Sequence, residues 1–313
     1  MYIMDITTIG ELLIDLTQIG MTQSRVPTFA ANPGGAPANV AVSASRLGAS
    51  TAFLGKVGTD GFGSYLVRVL GENGVDVSGM RTGSSPTTMA IVSVDSTGER
   101  DFQFIRGADC QLEAKEVNLA LISQSQFLHF GSVTLTADPA RHATLFAVQK
   151  ARELGVLVSY DPNYRDALWE SEEEAIKWMK MPLPMVDVLK VSQEELLLIA
   201  DTNDLNLGTK RLADYGITLV LVTLGADGAF YRIGDVTGYV AGKKVSVVDT
   251  NGAGDTFLGA VLTQLCCRGK MPLEGLTPAE IENILSFANL AAAWTCSHSG
   301  AIPAMPSLAE LTE

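Results

Sequence analysis

The chain has 313 residues, and 47% of them are hydrophobic, which is enough for a sizeable core and too apolar for a disordered chain. Its 22 Lys and Arg against 35 Asp and Glu give a net charge of −13, which argues against nucleic-acid and anionic-membrane partners. The four cysteines lack metal-ligand spacing and indicate a reduced, cytoplasmic protein, while three scattered histidines offer little to a metal cluster.

The first predicted elements are two extended segments, 11–16 and 26–31, followed by a tight turn at 33–39. Gly34 and Gly35 permit the close approach of a ligand, and Pro37 suits the first turn of a helix. Because this turn contains no basic residue, its donors suit a neutral polyol better than a phosphate. An ordinary strand-to-helix turn is an equal alternative.

Two further extended segments, 88–95 and 101–106, flank a turn at 96–99 and form a hairpin signature. Together with the first pair they predict a small antiparallel lid, built from about 11–33 and 86–107. The alternative is an ordinary meander at a sheet edge. Since no linker composition separates these segments from the rest, we expect one domain over 1–313 from which the lid emerges.

The middle of the chain repeats a helix, a glycine and an apolar run, at Gly48, Gly155 and Gly216. Glycines suit the left-handed position after a helix, and strands that are apolar on both faces belong to parallel sheets covered by helices. This predicts an α/β fold with a doubly wound, mainly parallel sheet. Ligands bind at the carboxyl ends of such strands, where the sequence places polar residues at 161–165, 190–195 and 223–228.

The last motif, 249–256, is a glycine-rich turn that opens a helix. Gly252, Ala253 and Gly254 allow several backbone N–H groups to point at one spot beside the positive end of the helix dipole, which favours an anion. Asp255 follows directly, where an ionised carboxylate can orient a hydroxyl and accept its proton. The pattern predicts a phosphate-transfer site, and its alternative is a plain glycine-rich helix entry.

The segments 34–41, with Gly48 and Gly58, and 249–257 together resemble the two signatures of the PfkB (ribokinase-like) carbohydrate kinases. The likeness spans the chain, includes 161–165, 190–195 and 289–301, and within the family is greatest to the bacterial fructokinase branch. It implies a ribokinase-like fold and an ATP-dependent sugar kinase.

The resemblance also implies residue roles. Asp255 would be the base and the backbone of Gly252, Ala253 and Gly254 the anion hole. The sugar would be bound by Asp15, Gly34, Gly35, Asn39, Arg106, Asn163 and Arg165. The nucleotide would be bound by Lys190, Thr223, Gly225, Gly228 and Asn289. Glu195 would act on Mg²⁺ through water, since Ser192 stands where the family motif has Asn, and Asp249 would help to hold a monovalent cation such as K⁺.

The expected reaction transfers the γ-phosphoryl group of ATP to a hydroxymethyl group, with D-fructose giving fructose 6-phosphate. Two arginines leave 2-keto-3-deoxygluconate open as the acceptor, and an aminoimidazole riboside is a third candidate. The expected partners are the small molecules sugar and ATP, and a homodimer through the lid is compatible with this interpretation.

Two other classes fit less well. An NAD-dependent dehydrogenase needs G-x-G-x-x-G after its first strand, and 58–63 has the wrong spacing and lies too late. A non-catalytic sugar-binding protein would leave the motif at 252–255 without a purpose.

Overall fold

A computed structural model describes residues 4–94 and 100–312, with the side chains of 92–94 and 100–102 outside the description. The strands are β1 Met4–Ile9, β2 Leu13–Met21, β3 Pro27–Gly34, β4 Thr51–Gly58, β5 Val75–Asp76, β6 Met80–Gly83, β7 Met89–Val94, β8 Arg100–Ile105, β9 Ser125–Phe130, β10 Leu157–Tyr160, β11 Val188–Ser192, β12 Leu219–Thr223, β13 Gly228–Ile233 and β14 Val236–Ala241. The helices are α1 Ala36–Arg46, α2 Gly61–Glu72, α3 Leu119–Ser123, α4 Ala140–Glu153, α5 Glu172–Lys180, α6 Gln193–Ala200, α7 Leu205–Ala213, α8 Ala253–Cys266, α9 Pro278–Cys296 and α10 Leu308–Thr312. Across these described ranges, no helix has the length and apolarity needed to cross a membrane.

The larger sheet has the strand order β14-β13-β12-β11-β10-β9-β1-β4-β5, with β6 beside β4. All pairs from β12 to β5 are parallel, and β13 and β14 add an antiparallel edge. Neighbouring residues of one strand enter different cores: Val188 packs with residues of α8 and α9, whereas Leu189 packs with residues of α4 and α6. The predicted mainly parallel sheet flanked by helices is therefore confirmed.

The predicted helix-ending glycines adopt the left-handed conformation, with φ of 101° at Gly48, 72° at Gly155 and 96° at Gly216. The strands that follow begin at Thr51, Leu157 and Leu219, one or two residues later than the apolar runs suggested. The first one or two residues of each apolar run form the connection from the helix to the strand, because the chain must reverse direction before it can join the sheet.

A second, smaller sheet has the order β3-β2-β7-β8. Its two outer pairs are antiparallel hairpins, as predicted, while the central pair β2–β7 is parallel. Both inner strands leave the carboxyl edge of the larger sheet, so they run in the same direction. The predicted turn at 96–99 lies outside the described residues. We call this smaller sheet the lid.

Helices α1 and α8 pack closely against each other behind the carboxyl edge of the larger sheet. Gly259 of α8 makes this possible, because a Cβ there would lie 2.6 Å from Ser43 Oγ and 2.7 Å from Ser43 Cβ. Ser43 Oγ also donates to the carbonyl of Thr256 at 3.2 Å. The contact fixes the distance between the first turns of the two helices.

We therefore expect Gly259→Ala to lower the free energy of unfolding by about 1–3 kcal/mol, as overpacking of a tight core does. Gly71→Ala is the matched control, since that glycine also lies in a helix and a Cβ added to it would meet nothing within 4 Å. It should leave stability unchanged or raise it by about 0.4–1 kcal/mol. Urea unfolding measures both, and equal effects would contradict the proposed close packing.

Candidate active site

Asp255 lies buried in the first turn of α8 and is held on both oxygens. Asn39 Nδ2 donates to Oδ2 at 2.8 Å, and Asn163 Nδ2 donates to Oδ1 at 3.1 Å. Burial raises the pKa of Asp255 to about 6, and the charge of Asp161 adds to this, whereas the Asn39 hydrogen bond opposes it. The carboxylate is thus oriented and more basic than an ordinary aspartate.

The turn before Asp255 is shaped for an anion. Gly252 caps α8 with a left-handed φ of 75°, and a Cβ on Gly254 would lie 3.0 Å from Lys190 Nζ. Lys190, buried in β11, pairs with Asp161 at 2.8 Å, and this carboxylate helps to raise its pKa. A positive side chain and the positive end of the helix dipole therefore face the same turn.

Asp15 and the two glycines of the first motif form a neighbouring site at the base of the lid. Gly34 lies so close that a Cβ would overlap Asp15 Oδ2, and a Cβ on Gly35, with φ of 119°, would overlap the carbonyl of Glu11. Burial raises the pKa of Asp15 to about 6, the charge of Arg165 lowers it and that of Asp255 raises it. Asp15 and Asp255 therefore influence each other beside Arg165.

The two predicted arginines differ in their surroundings. Arg165 is exposed, and its Nη1 donates to the carbonyl of Tyr164 at 2.9 Å. Arg106 is mostly buried, with Nη2 paired to Asp109 Oδ2 at 2.8 Å and Nη1 donating to Thr136 Oγ1 at 3.0 Å. Arg106 thus ties the end of the lid to the turn that follows β9.

A cavity of about 540 Å³ adjoins the turn at Gly254. It brings together most of the residues predicted for the nucleotide, Thr223, Gly225, Gly228 and Asn289. Asn289 Nδ2 donates to the carbonyls of Val240 and Ala241, at 3.2 and 3.1 Å, so its amide orientation is fixed. Lys190 does not line this cavity, although its Nζ lies 3.0 Å from where a Cβ on Gly254 would be.

The two predicted metal-associated carboxylates are held by backbone donors. Glu195 accepts from the N–H groups of Tyr164 and Ser192, both at 2.7 Å. Because both oxygens are already engaged, the carboxylate suits a contact with Mg²⁺ through a water molecule better than direct coordination. Asp249 accepts from the N–H groups of Asn251 and Gly300, both at 3.1 Å. Within the described part of the chain, no group of three His, Cys, Asp or Glu converges as a metal site.

Several residues of the site were missed by the sequence interpretation. Asp161 lies in the polar segment 161–165 that the sequence places at a strand end, but only the fold reveals that it pairs with Lys190. Lys243 and Lys244, an adjacent basic pair that the sequence did display, line the nucleotide-sized cavity. Glu11 accepts from the N–H of Ala36 at 2.8 Å, and burial raises its pKa to about 7. A single glutamate in an apolar run gives no sequence signal of this kind.

The sequence matches the pfkB family of carbohydrate kinases over residues 4–308. It is 40% identical to fructokinase-1 of Zea mays over 314 aligned residues, covering 98% of this chain and 96% of that protein. The crystal structure of a fructokinase with bound ATP from Xylella fastidiosa superposes with a TM-score of 0.92 at 32% identity, covering 98% of this chain and 97% of the other. A fructokinase from Vibrio cholerae O395 with fructose, ADP and calcium superposes with a TM-score of 0.86 at 31% identity, with coverage of 99% and 98%.

The buried charge of Asp255 predicts a pH-dependent stability. Its pKa rises from an ordinary 3.8 to about 6, so the folded protein holds a proton that the unfolded chain loses between these pH values. The free energy of unfolding therefore falls as pH rises between the two pKa values. Above about pH 6 the folded protein bears the full cost of the buried negative charge. We expect Asp255→Asn to stabilise the protein by about 1–3 kcal/mol at pH 8 and by much less at pH 4.5.

Urea unfolding at the two pH values measures this difference. The control is Asp214→Asn, at an exposed carboxylate after α7 on the opposite edge of the sheet. An effect of Asp255→Asn on stability that is the same at both pH values would contradict the buried-charge interpretation.

Proposed function

Because the chain belongs to the PfkB family of carbohydrate kinases, which are phosphotransferases with an alcohol acceptor, we propose that it is a fructokinase that forms fructose 6-phosphate from D-fructose and ATP. The observation that carries the proposal is the Asn39–Asp255 contact of 2.8 Å. It joins the two signature motifs, which are 216 residues apart, next to a cavity of nucleotide size.

Asp255 is the base in this proposal. With a pKa of about 6 it is ionised at neutral pH, yet it accepts a proton more readily than an ordinary carboxylate. Asn39 and Asn163 hold its two oxygens, so the carboxylate is oriented before a sugar hydroxyl arrives. The hydroxyl proton passes to Asp255 as the hydroxyl oxygen bonds to the γ-phosphorus, while the bond from that phosphorus to the bridging oxygen of ATP breaks and ADP leaves.

The backbone N–H groups of Gly252, Ala253 and Gly254 would form the anion hole, for which the N–H of Ala253 would turn from the carbonyl of Thr250, its acceptor at 3.3 Å in the structure. Lys190 adds a positive charge beside this turn. ATP supplies the reactive phosphoryl group, and Mg²⁺ partly neutralises the negative charge of its phosphates. Thr223, Gly225, Gly228 and Asn289 would hold the nucleotide in the cavity. Glu195 would orient a water of the Mg²⁺ shell, and Asp249 would help to hold K⁺ between its loop and Gly300.

The sugar would lie between the lid and the turn at Gly34, bounded by Asp15, Asn39 and Asn163. Two carboxylates, Asp15 and Asp255, suit the hydroxyl groups of a neutral sugar, because both can accept hydrogen bonds. Arg106 and Arg165 would close the site from the lid and from the strand end. The fructokinase relatives support fructose over the alternative acceptors.

Four unpaired cysteines are typical of a reducing compartment, and we place the protein in the cytoplasm on that ground.

Exposed apolar residues in the first hairpin of the lid support a homodimer. Ile19, Met21, Val26 and Phe29 of the first hairpin region are 68%, 62%, 55% and 42% exposed. Four large apolar side chains so close together are rare on a monomer surface and typical of a contact between proteins. We propose that a second copy of the chain covers this patch, because in a twofold dimer the same apolar patch of each subunit contacts the other.

ADP release from the purified protein with ATP and Mg²⁺ tests the activity across fructose, 2-keto-3-deoxygluconate, ribose and nucleosides. We expect fructose to be the preferred acceptor. Asp255→Ala should lower kcat by about 10²–10⁴, the usual contribution of a general base, while ATP still binds. The acid limb of the wild-type kcat profile should lie near pH 6. Turnover of Asp255→Ala near the wild-type rate would exclude the proposed base.

Sedimentation equilibrium tests the lid contact. We expect the wild type to have twice the chain mass of 33.2 kDa at micromolar concentration. Ile19→Asp should shift it to the monomer, because a charge would be buried in the apolar contact. The control Leu154→Asp changes an equally apolar, 50% exposed residue at the end of α4 and should leave the dimer intact. A monomeric wild type would reject the proposal.

A further inference from the structure

The guanidinium of Arg106 is already engaged on three sides. Nη2 pairs with Asp109 Oδ2 at 2.8 Å, and Nη1 donates to Thr136 Oγ1 at 3.0 Å. Both terminal nitrogens also lie 3.5 Å from the carbonyl of Val133. Only Nε is without a hydrogen-bond partner among the described residues. The positive charge of Arg106 is therefore already compensated by Asp109.

Asp109 is placed to hold this pairing. Its side chain is 1% exposed, and its second oxygen accepts a hydrogen bond from Thr88 Oγ1. Thr88 Oγ1 in turn accepts from the N–H of Gly107 at 2.7 Å, so the carboxylate is tied to the base of the lid on both sides. A buried ion pair held by further hydrogen bonds does not exchange freely with a ligand.

The cluster borders the region where the sugar is expected. Glu11, which lies within electrostatic range of Arg106 and Asp109, holds the N–H of Ala36 in the turn at Gly34 and Gly35. Two carboxyl groups, those of Asp109 and Glu11, therefore lie near the guanidinium of Arg106.

Resting on the proposed sugar-kinase function, we propose that Asp109 sets the substrate specificity: it keeps Arg106 charge-compensated and so selects a neutral sugar over a sugar acid. A sugar carboxylate entering here would lose its water without gaining a free cation, while the carboxylate of Asp109 would repel it. A hydroxyl group carries no such cost. Asp109 is a positioning residue in this account, since it acts through Arg106 and touches no reacting atom.

The test compares kcat/KM for fructose and for 2-keto-3-deoxygluconate in the wild type and in Asp109→Asn. The substitution keeps the shape and removes the charge, so the ratio should shift towards the sugar acid by about tenfold. Asp109→Glu keeps the charge and should restore the preference for fructose. A folded Asp109→Asn with an unchanged ratio overturns the proposal.

The matched control is Asp187→Asn. Asp187 also pairs with an arginine, Arg152, at 2.6 Å, but it precedes β11 at the opposite edge of the sheet. Its substitution should leave the substrate ratio unchanged. An equal shift in this control would mean that the ratio reports general loosening of the fold and would also overturn the proposal.

Arg106→Gln gives a second, independent test if Asp109→Asn does not fold. The substitution leaves Asp109 as an uncompensated carboxylate, so kcat/KM should fall about tenfold more for the sugar acid than for fructose. Losses within about threefold of each other would show that Asp109 does not repel a sugar acid and would overturn the proposal. Absence of wild-type turnover with fructose and every other sugar counts against the proposed function instead, and is therefore a distinguishable failure.

Discussion

The arrangement of the site depends on one buried carboxylate, Asp255, at the beginning of α8. A buried charge is costly unless donors surround it, and here Asn39 and Asn163 each donate to one of its oxygens. The carboxylate remains costly to ionise, as its pKa of about 6 indicates. The fold thus holds a group whose basicity suits proton transfer, and that cost is carried by the packing around it.

That packing is chiefly the contact of α1 with α8. The small residues Ser43 and Gly259 let the two helices approach closely, and Asn39 lies within hydrogen-bond distance of Asp255. The second donor lies at the strand end after β10, which brings Asn163 to the same carboxylate. Three separate parts of the chain therefore meet at one side chain, each placed by its own connection to the carboxyl edge of the larger sheet.

Charge is distributed unevenly along this edge. On the side proposed for the phosphate, Lys190 faces the glycine-rich turn and is kept positive by Asp161. On the side proposed for the sugar, the acids Asp15 and Asp109 lie beside arginines. One half is thus suited to a polyanion and the other to a neutral, hydroxyl-rich molecule, although the protein as a whole is strongly acidic.

The sequence by itself determined the fold class, the family and the two motifs that meet in the candidate site. These follow from local rules: glycines that must be left-handed, apolar strands that must be buried, and a glycine-rich turn that must open a helix. Most of the residues it predicted for the nucleotide do line one cavity. The fold also brings Asn39 to Asp255.

Only the tertiary structure decided which charges meet. No local sequence pattern predicts the ion pairs Lys190–Asp161 and Arg106–Asp109. The same is true of the contact between Glu11 and the turn at Ala36. The parallel pairing of β2 with β7 likewise depends on where both strands leave the larger sheet. The physical reason is the same in each case: a pKa, a hydrogen bond or an ion pair depends on distance and burial in space, and a linear sequence displays neither.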